Sequence, residues 1–245
     1  MMKITVVTVC LNAEKHIRRC CESVRLQRWP DLEHLVVDGG STDGTLALVK
    51  AASIPDVRIY SGPDAGIYDA MNKAIGLSTG DAILFLNADD WFAHEDALGA
   101  LARKLQTEER LGLVYGDAIV IDGDRAVIKG QAHLDEGSIG CEMVCHQTIL
   151  ASRSAFEQVG GFDTQYRLCA DLDWLMRAID AGVGYGHVPN AVCFYSAGGE
   201  SDKAQSRRKA EKQAILVRRR NPARRWGQRL RAALRRRLKT RFSFY

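Results

Sequence analysis

Residues 4–10, Ile-Thr-Val-Val-Thr-Val-Cys, are β-branched or apolar almost throughout and lack the polar alternation of a strand with one face in water. Such a run is stable only when both faces are covered, the condition of a strand inside a parallel sheet flanked by helices. Similar runs return at 35–37, 57–60 and 82–86. Helix-like stretches separate them. Ile17, Cys20, Cys21 and Val24 fall at i, i+3, i+4 and i+7, which predicts a helix from a cap at Asn12 through about residue 26. Further helices are expected up to residue 52, over 68–77 and over 96–107. Alternating strands and helices with short loops make this an α/β chain with helices on both faces of its sheet.

Past residue 110 the rhythm changes. Residues 113–121 and 126–129 read as a hairpin across Asp122-Gly123-Asp124. A short helix over 152–159 is stopped by Gly160-Gly161, and another over 171–181 by Gly182. A second half of this kind supplies mixed strands and loops for the opposite wall of a cleft. The expected organisation is one domain over 1–202, with halves 1–110 and 111–202, followed by a tail over 203–245.

Charge separates the tail from the body. Between Lys203 and Arg241 lie 17 of the 34 Lys and Arg, with Glu211 the one acid among them, so the body is acidic and the tail strongly basic. With 46% hydrophobic and 26% charged residues, collagen-like, low-complexity and disordered classes are excluded. No stretch approaches the ~18 apolar residues of a membrane span. Residues 4–11 could pass for a short signal core, but Asn12-Ala13-Glu14-Lys15 offers no small-x-small cleavage site, so a first strand is expected there. Seven scattered cysteines suit buried, reduced thiols in the cytoplasm; Cys141, Cys145 and His146 form at most half of a zinc site.

Three acidic motifs fall at successive strand ends: Asp38, Asp64 and Asp89-Asp90. In an open parallel sheet, ligands bind beyond the carboxyl ends of the strands. Carboxylates gathered there repel one another unless a cation or hydrogen-bond donors compensate them, and a divalent metal with a diphosphate is the natural compensation. The loop 39–44 is neither a dinucleotide fingerprint nor a phosphate loop ending in Gly-Lys-Ser, which removes the main support for oxidoreductase and ATPase readings.

Asp38-Gly-Gly-Ser-Thr-Asp-Gly-Thr45, Pro63-Asp-Ala-Gly-Ile-Tyr-Asp-Ala-Met-Asn-Lys73, Phe85-Leu-Asn-Ala-Asp-Asp90, and Gly160-Gly-Phe-Asp163 followed by Ala170-Asp-Leu-Asp173 stand in one order. In that order and spacing the chain resembles the family 2 glycosyltransferases over about residues 3–200. The resemblance implies the GT-A nucleotide-diphospho-sugar transferase fold, a Rossmann-like mostly parallel sheet with a mixed acceptor-side half. It implies an inverting transfer from a nucleotide-diphospho-sugar to a glycan or lipid-linked saccharide in cell-surface polysaccharide synthesis. It further implies donor binding by Asp38, Asp64, Asn87, Asp89 and Asp90, with Asp38 by the nucleotide base. Asp89 and Asp90 would hold Mg²⁺ or Mn²⁺, and Asp171 would be the general base, with Asp173 as its substitute. His146 and Gln147 fall in the acceptor loop. The chain departs from the family pattern at Gly39, Asn87 and Ala170, where acids are common.

In the tail, Asn221 and Pro222 suit an N-cap and first helical residue, and Trp226, Leu230, Leu234, Leu238 and Phe242 recur every four residues among arginines. This predicts a basic amphipathic helix on an anionic membrane surface, placing the protein on the inner face of the cytoplasmic membrane. Two other readings compete: a sugar nucleotidyltransferase, and a nucleic-acid-binding protein using the Arg-rich tail. No early Gly-rich loop with a basic residue supports the first, and no basic, aromatic-studded surface in 1–202 supports the second, so no nucleic acid partner is expected. Lys73 and residues 198–201 are further candidates, for contact with phosphate or an acceptor anion and for a segment closing over the donor.

Overall fold

A computed structural model describes residues 2–52, 57–131, 144–197 and 204–220. Strand β1 (Ile4–Cys10) is buried along its whole length, as its unbroken apolar pattern requires. Its side chains alternate between two cores, Val7 and Val9 entering one and Ile4 and Val6 the other. β2 (Leu32–Asp38) and β4 (Ala82–Phe85) pair with it in parallel on either side, and β3 (Arg58–Ser61) pairs in parallel with β2. The helices α1 (Ile17–Arg25), α2 (Thr45–Ala52) and α3 (Ile67–Leu77) make the crossovers.

Beyond β4 the sheet turns mixed. β8 (Ile149–Ser152) lies antiparallel between β4 and β6 (Leu111–Asp122). β9 (Gly184–Ser196) runs parallel to β6, and β5 (Trp91–Phe92) closes the far edge antiparallel to β9. β7 (Arg125–Lys129) folds back on β6 as the expected hairpin, with Gly123 at φ +56° in its turn. The order is β3-β2-β1-β4-β8-β6-β9-β5, a parallel half joined to a mixed half.

One face is covered by α3, α5 (Arg153–Val159), α6 (Ala170–Asp180) and a last helix, α7 (Gln205–Arg220), through Met71, Phe156, Trp174 and Ile215. The other is covered by α1 and α4 (Ala97–Thr107), through Cys20, Val24, Leu98 and Leu101. Both faces of β1, β2 and β4 are therefore dry, while the edge strand β3 stays largely exposed.

One expectation needs correction. Asn12 does not cap α1, which begins at Ile17; Asn12 takes φ +49° and its side-chain oxygen accepts from Thr42 N–H at 2.9 Å, tying the loop after β1 to the loop after β2. β8 and β9 were not foreseen. Gly184, Gly186 and Pro189 look like strand breakers, yet Gly184 lies where an added Cβ would sit 2.0 Å from the Arg110 carbonyl oxygen, so glycine there permits close strand packing. The tail expected from 203 opens with a helix. Helix α7 packs on the body: Ile215 is 2% exposed, Arg218 pairs with Asp163 at 3.1 Å, and Arg219 pairs with Asp180 at 3.3 Å. The amphipathic stretch from Asn221, the segment 198–201 and Cys141 lie outside the described residues. Among the described residues, no helix is long and apolar enough to cross a membrane.

Candidate active site

A cavity of about 680 Å³ opens beyond the carboxyl ends of β1 and β4 and is closed on its other side by the loops that precede β8 and α6. This volume is within the usual range for small-molecule sites. Asp64, Asn87, Asp89, Asp90, His146, Gln147 and Asp171 all line it. Asp38 and Asp173 do not.

Asp38 is fully buried, and its carboxylate is already saturated. It accepts from Gly40 N–H, from Ser41 N–H and hydroxyl, and from the Ser61 hydroxyl at 2.6 Å. Burial works to raise its pKa, but the Ser41 and Ser61 donors outweigh it and the net direction is down. A carboxylate so occupied shapes its loop, and it stands behind the cavity wall rather than on it. Asp43 is likewise architectural, accepting from Thr45 N–H at 3.0 Å and from Glu14 N–H at 3.2 Å. The Asp-Gly-Gly-Ser-Thr-Asp-Gly-Thr motif is thus a bracket for the cavity wall.

The acid that does face the cavity from this side is Asp64. Its Oδ1 accepts from Gly66 N–H at 2.8 Å, in a turn where Gly66 has φ +121°. Its Oδ2 occupies the space that a side chain at Gly39 would need, 2.6 Å from the place of that Cβ.

After β4, the short loop Asn87–Asp90 presents two carboxylates in different states. Asp89 is half-buried on the cavity wall. Asp90 is 3% exposed, its Oδ2 accepting from Gln147 Nε2 at 2.6 Å. Burial, reinforced by the neighbouring Asp89 charge, raises the Asp90 pKa to about 7. A divalent cation would relieve that load. Hard oxygen donors in this loop suit Mg²⁺ or Mn²⁺, which commonly use one or two carboxylates plus phosphate oxygens. Among the described residues no group of three or more His, Cys, Asp or Glu gathers at metal-binding distance, so a cation held here would take its remaining ligands from phosphate or water.

Across the cavity, Asp171 stands in the first turn of α6 and is the centre of a polar cluster. Its Oδ1 accepts from the Tyr68 hydroxyl at 2.9 Å, and its Oδ2 lies 3.1 Å from His146 Nδ1. His146 Nε2 in turn lies 3.4 Å from Asn87 Oδ1. The Asp171 side chain is 9% exposed and that of His146 18%. Burial would lower the His146 pKa, but the hydrogen bond and charge of Asp171 prevail and raise it; reciprocally, His146 brings Asp171 down against its burial. Asp173 points elsewhere, pairing with Arg177 Nε at 2.7 Å. That ion pair occupies its carboxylate, and Asp173 does not line the cavity. Lys73 is also engaged, by Asp69 at 2.9 Å and the Pro63 carbonyl at 2.8 Å, and does not line the cavity.

Sequence reasoning missed Tyr68, Arg167 and Arg208, all on the cavity wall. Tyr68 lies inside the 63–73 motif, where a phenol beside two acids is a signal the sequence offers. The two arginines meet only through the packing of α7.

A family model described as Glycosyl transferase family 2 matches residues 5–160. The PGL/p-HBAD biosynthesis glycosyltransferase of Mycobacterium tuberculosis (strain ATCC 25177 / H37Ra) is 33% identical over 186 residues, covering 71% of this chain and 68% of that protein. Among solved structures, the mannosyltransferase PcManGT from Pyrobaculum calidifontis, in complex with GDP-Man and Mn²⁺, superposes with a TM-score of 0.70 at 20% identity, over 95% of this chain and 69% of that one. Staphylococcus aureus TarS 1–349 in complex with UDP-GlcNAc gives 0.66 at 19% identity, over 83% and 61%. The fold common to them is GT-A.

Proposed function

The chain belongs to glycosyl transferase family 2, and from that premise we propose that it moves a sugar, with inversion, from a nucleotide-diphospho-sugar to a glycan or lipid-linked saccharide. The observation that carries this reading is the meeting of Asp64, Asn87 and Asp89 with the Asp171–His146 pair on one cavity. Asp64 is the carboxylate with an open face for the nucleoside, in place of the enclosed Asp38. Asp89, backed by Asp90, would hold Mg²⁺ or Mn²⁺ with the phosphates, and such a cation stabilises the charge that builds on the leaving diphosphate.

The acceptor hydroxyl has to lose its proton opposite the leaving group. Asp171 supplies the negative charge, but both its oxygens already accept hydrogen bonds. His146 is the more open member, and only its 3.4 Å contact to Asn87 stands between Nε2 and an incoming hydroxyl. The pair therefore acts as one base: Asp171 holds Nδ1–H, and Nε2 takes the proton. Attack opposite the diphosphate inverts the anomeric carbon without a covalent enzyme intermediate. The TarS and PcManGT complexes, with UDP-GlcNAc and with GDP-Man and Mn²⁺, support a nucleotide-sugar and a divalent cation as the ligands to try first. The basic residues from Asn221 onward support attachment to an anionic membrane, where a lipid-linked acceptor would be met.

The test is calorimetry with UDP, GDP and their sugars, with and without Mn²⁺, on the wild type, Asp89→Ala and Asp171→Asn. One nucleotide should bind more tightly with Mn²⁺, Asp89→Ala should lose that gain, and Asp171→Asn should keep donor binding while transfer stops. Full transfer by Asp171→Asn removes that residue from the reaction, and a wild type that takes up no nucleotide ends the proposal.

A further inference from the structure

The cavity is not uniformly acidic. Asp64, Asp89 and Asp90 come from the loops after the parallel strands, whereas Arg167 and Arg208 enter its wall from the segment leading into α6 and from α7. Both are tied to the segment that leads into α6 and Asp171. Arg167 precedes Asp171 by four residues, and the Arg208 carbonyl accepts from the thiol of Cys169 at 3.6 Å.

Local acids do not neutralise Arg167. The nearest, Glu211, spends its carboxylate on the N–H groups of Arg167 and Leu168, at 3.1 and 2.8 Å, on that of Cys169, and on Arg207 at 2.9 Å. Asp171 is spent on Tyr68 and His146. The Arg167 guanidinium is exposed and, among the described residues, makes no ion pair. A planar guanidinium left open on the wall of a ligand cavity is matched by a carboxylate or a phosphate, which it can bind with two parallel hydrogen bonds. The donor's diphosphate is already provided for at the Asp89 side, whereas Arg167 is chained to the acceptor-side base.

Resting on the glycosyltransferase reading, we infer that the acceptor carries an oxyanion, a phosphate or a carboxylate near the hydroxyl that is glycosylated, and that Arg167 binds it with Arg208 beside it. The anion fixes which hydroxyl faces His146 and Asp171. A neutral glycan would leave the Arg167 guanidinium without a charged partner.

The experiment uses the full chain saturated with UDP and Mn²⁺, or with GDP where that is the nucleotide taken. It is titrated with three probes: an octyl diphospho-N-acetylglucosamine, an octyl glucuronide and a neutral octyl glucoside. One anionic probe should bind about tenfold more tightly than the neutral one, the scale of a charge-assisted hydrogen bond. The diphosphate and glucuronide arms identify whether the anion sits on a lipid-linked phosphate or on a sugar. Arg167→Gln should abolish the preference without changing nucleotide affinity or the melting temperature. Arg167→Lys should restore part of it, and Arg208→Gln should weaken it. Equal binding of all three probes overturns the inference, as does a loss of nucleotide affinity in Arg167→Gln, which would assign the arginine to the donor. Failure to take up either nucleotide is a separate result, and it fells the glycosyltransferase reading together with this one.

Discussion

Gly39 and Asp64 show how one position decides the work of another. The Asp64 carboxylate sits where a Cβ at residue 39 would fall, 2.6 Å from its Oδ2. Gly39→Ala should therefore push Asp64 off the cavity wall and weaken nucleotide binding about tenfold, the scale of one lost charged hydrogen bond. Asp64→Ala should weaken it equally, and the double variant should add little, a non-additivity that calorimetry reads directly. His34 belongs to the same scale. It is fully buried beside Thr8 Oγ1 at 3.1 Å with Nδ1 unpartnered, and burial lowers its pKa to about 4. Between an ordinary imidazole pKa and about 4, the unfolded chain binds a proton that the folded chain refuses. Stability is then lost as pH falls through that window, by at most ~1.4 kcal/mol per pH unit. His34→Gln should flatten that slope in urea titrations at pH 4.5, 5.5 and 6.5. Asp38 and Asp171 mark the limit of what single residues disclose in sequence. Both are acids at element ends, but the hydroxyl that saturates Asp38 belongs to Ser61 of the next strand, and the imidazole on Asp171 comes from 25 residues away.

At the scale of elements, short polar bridges join the two halves of the chain. Asn72 of α3 accepts from Phe162 N–H at 2.7 Å and donates to the Phe162 carbonyl at 2.9 Å, pinning the Gly-Gly-Phe-Asp loop beside α6. Gly161 has no room for a side chain because Asn72 Oδ1 would lie 2.4 Å from its Cβ. Two motifs that look independent in sequence are one joint in space. Asn72→Ala should cost about 2 kcal/mol in thermal or urea unfolding, from two unsatisfied backbone groups and a small void. The local periodicities that carried β1, α3, α4 and the β6–β7 hairpin were legible because each reflects burial along its own element. β8, of four residues, and β9, with Gly184, Gly186 and Pro189, have no such signature, since partners elsewhere in the sheet determine them.

At the scale of the molecule, the basic tail divides at Arg220. The part in α7 is held by Ile215, by Arg218 with Asp163 and by Arg219 with Asp180. Removing 221–245 should leave the melting temperature within a few degrees while abolishing binding to anionic vesicles; removing 204–245 should destabilise the whole. DNA binding lost with vesicle binding retained in the shorter truncation would instead point the tail to nucleic acid. The parallel half and its cavity were legible because strand ends carry acids in a fixed order. The arginine corner was not, because nothing in a charge count distinguishes the arginines that pack from those that follow. Glu211 gives this arrangement a temporal meaning as well. During synthesis the loops after the parallel strands emerge first, and the carboxylate that fastens residues 167–169 follows more than forty residues behind the segment it secures. A chain halted on the ribosome before Gln205 would therefore carry Asp64 and Asp89 while the segment leading into α6 still lacked its fastening.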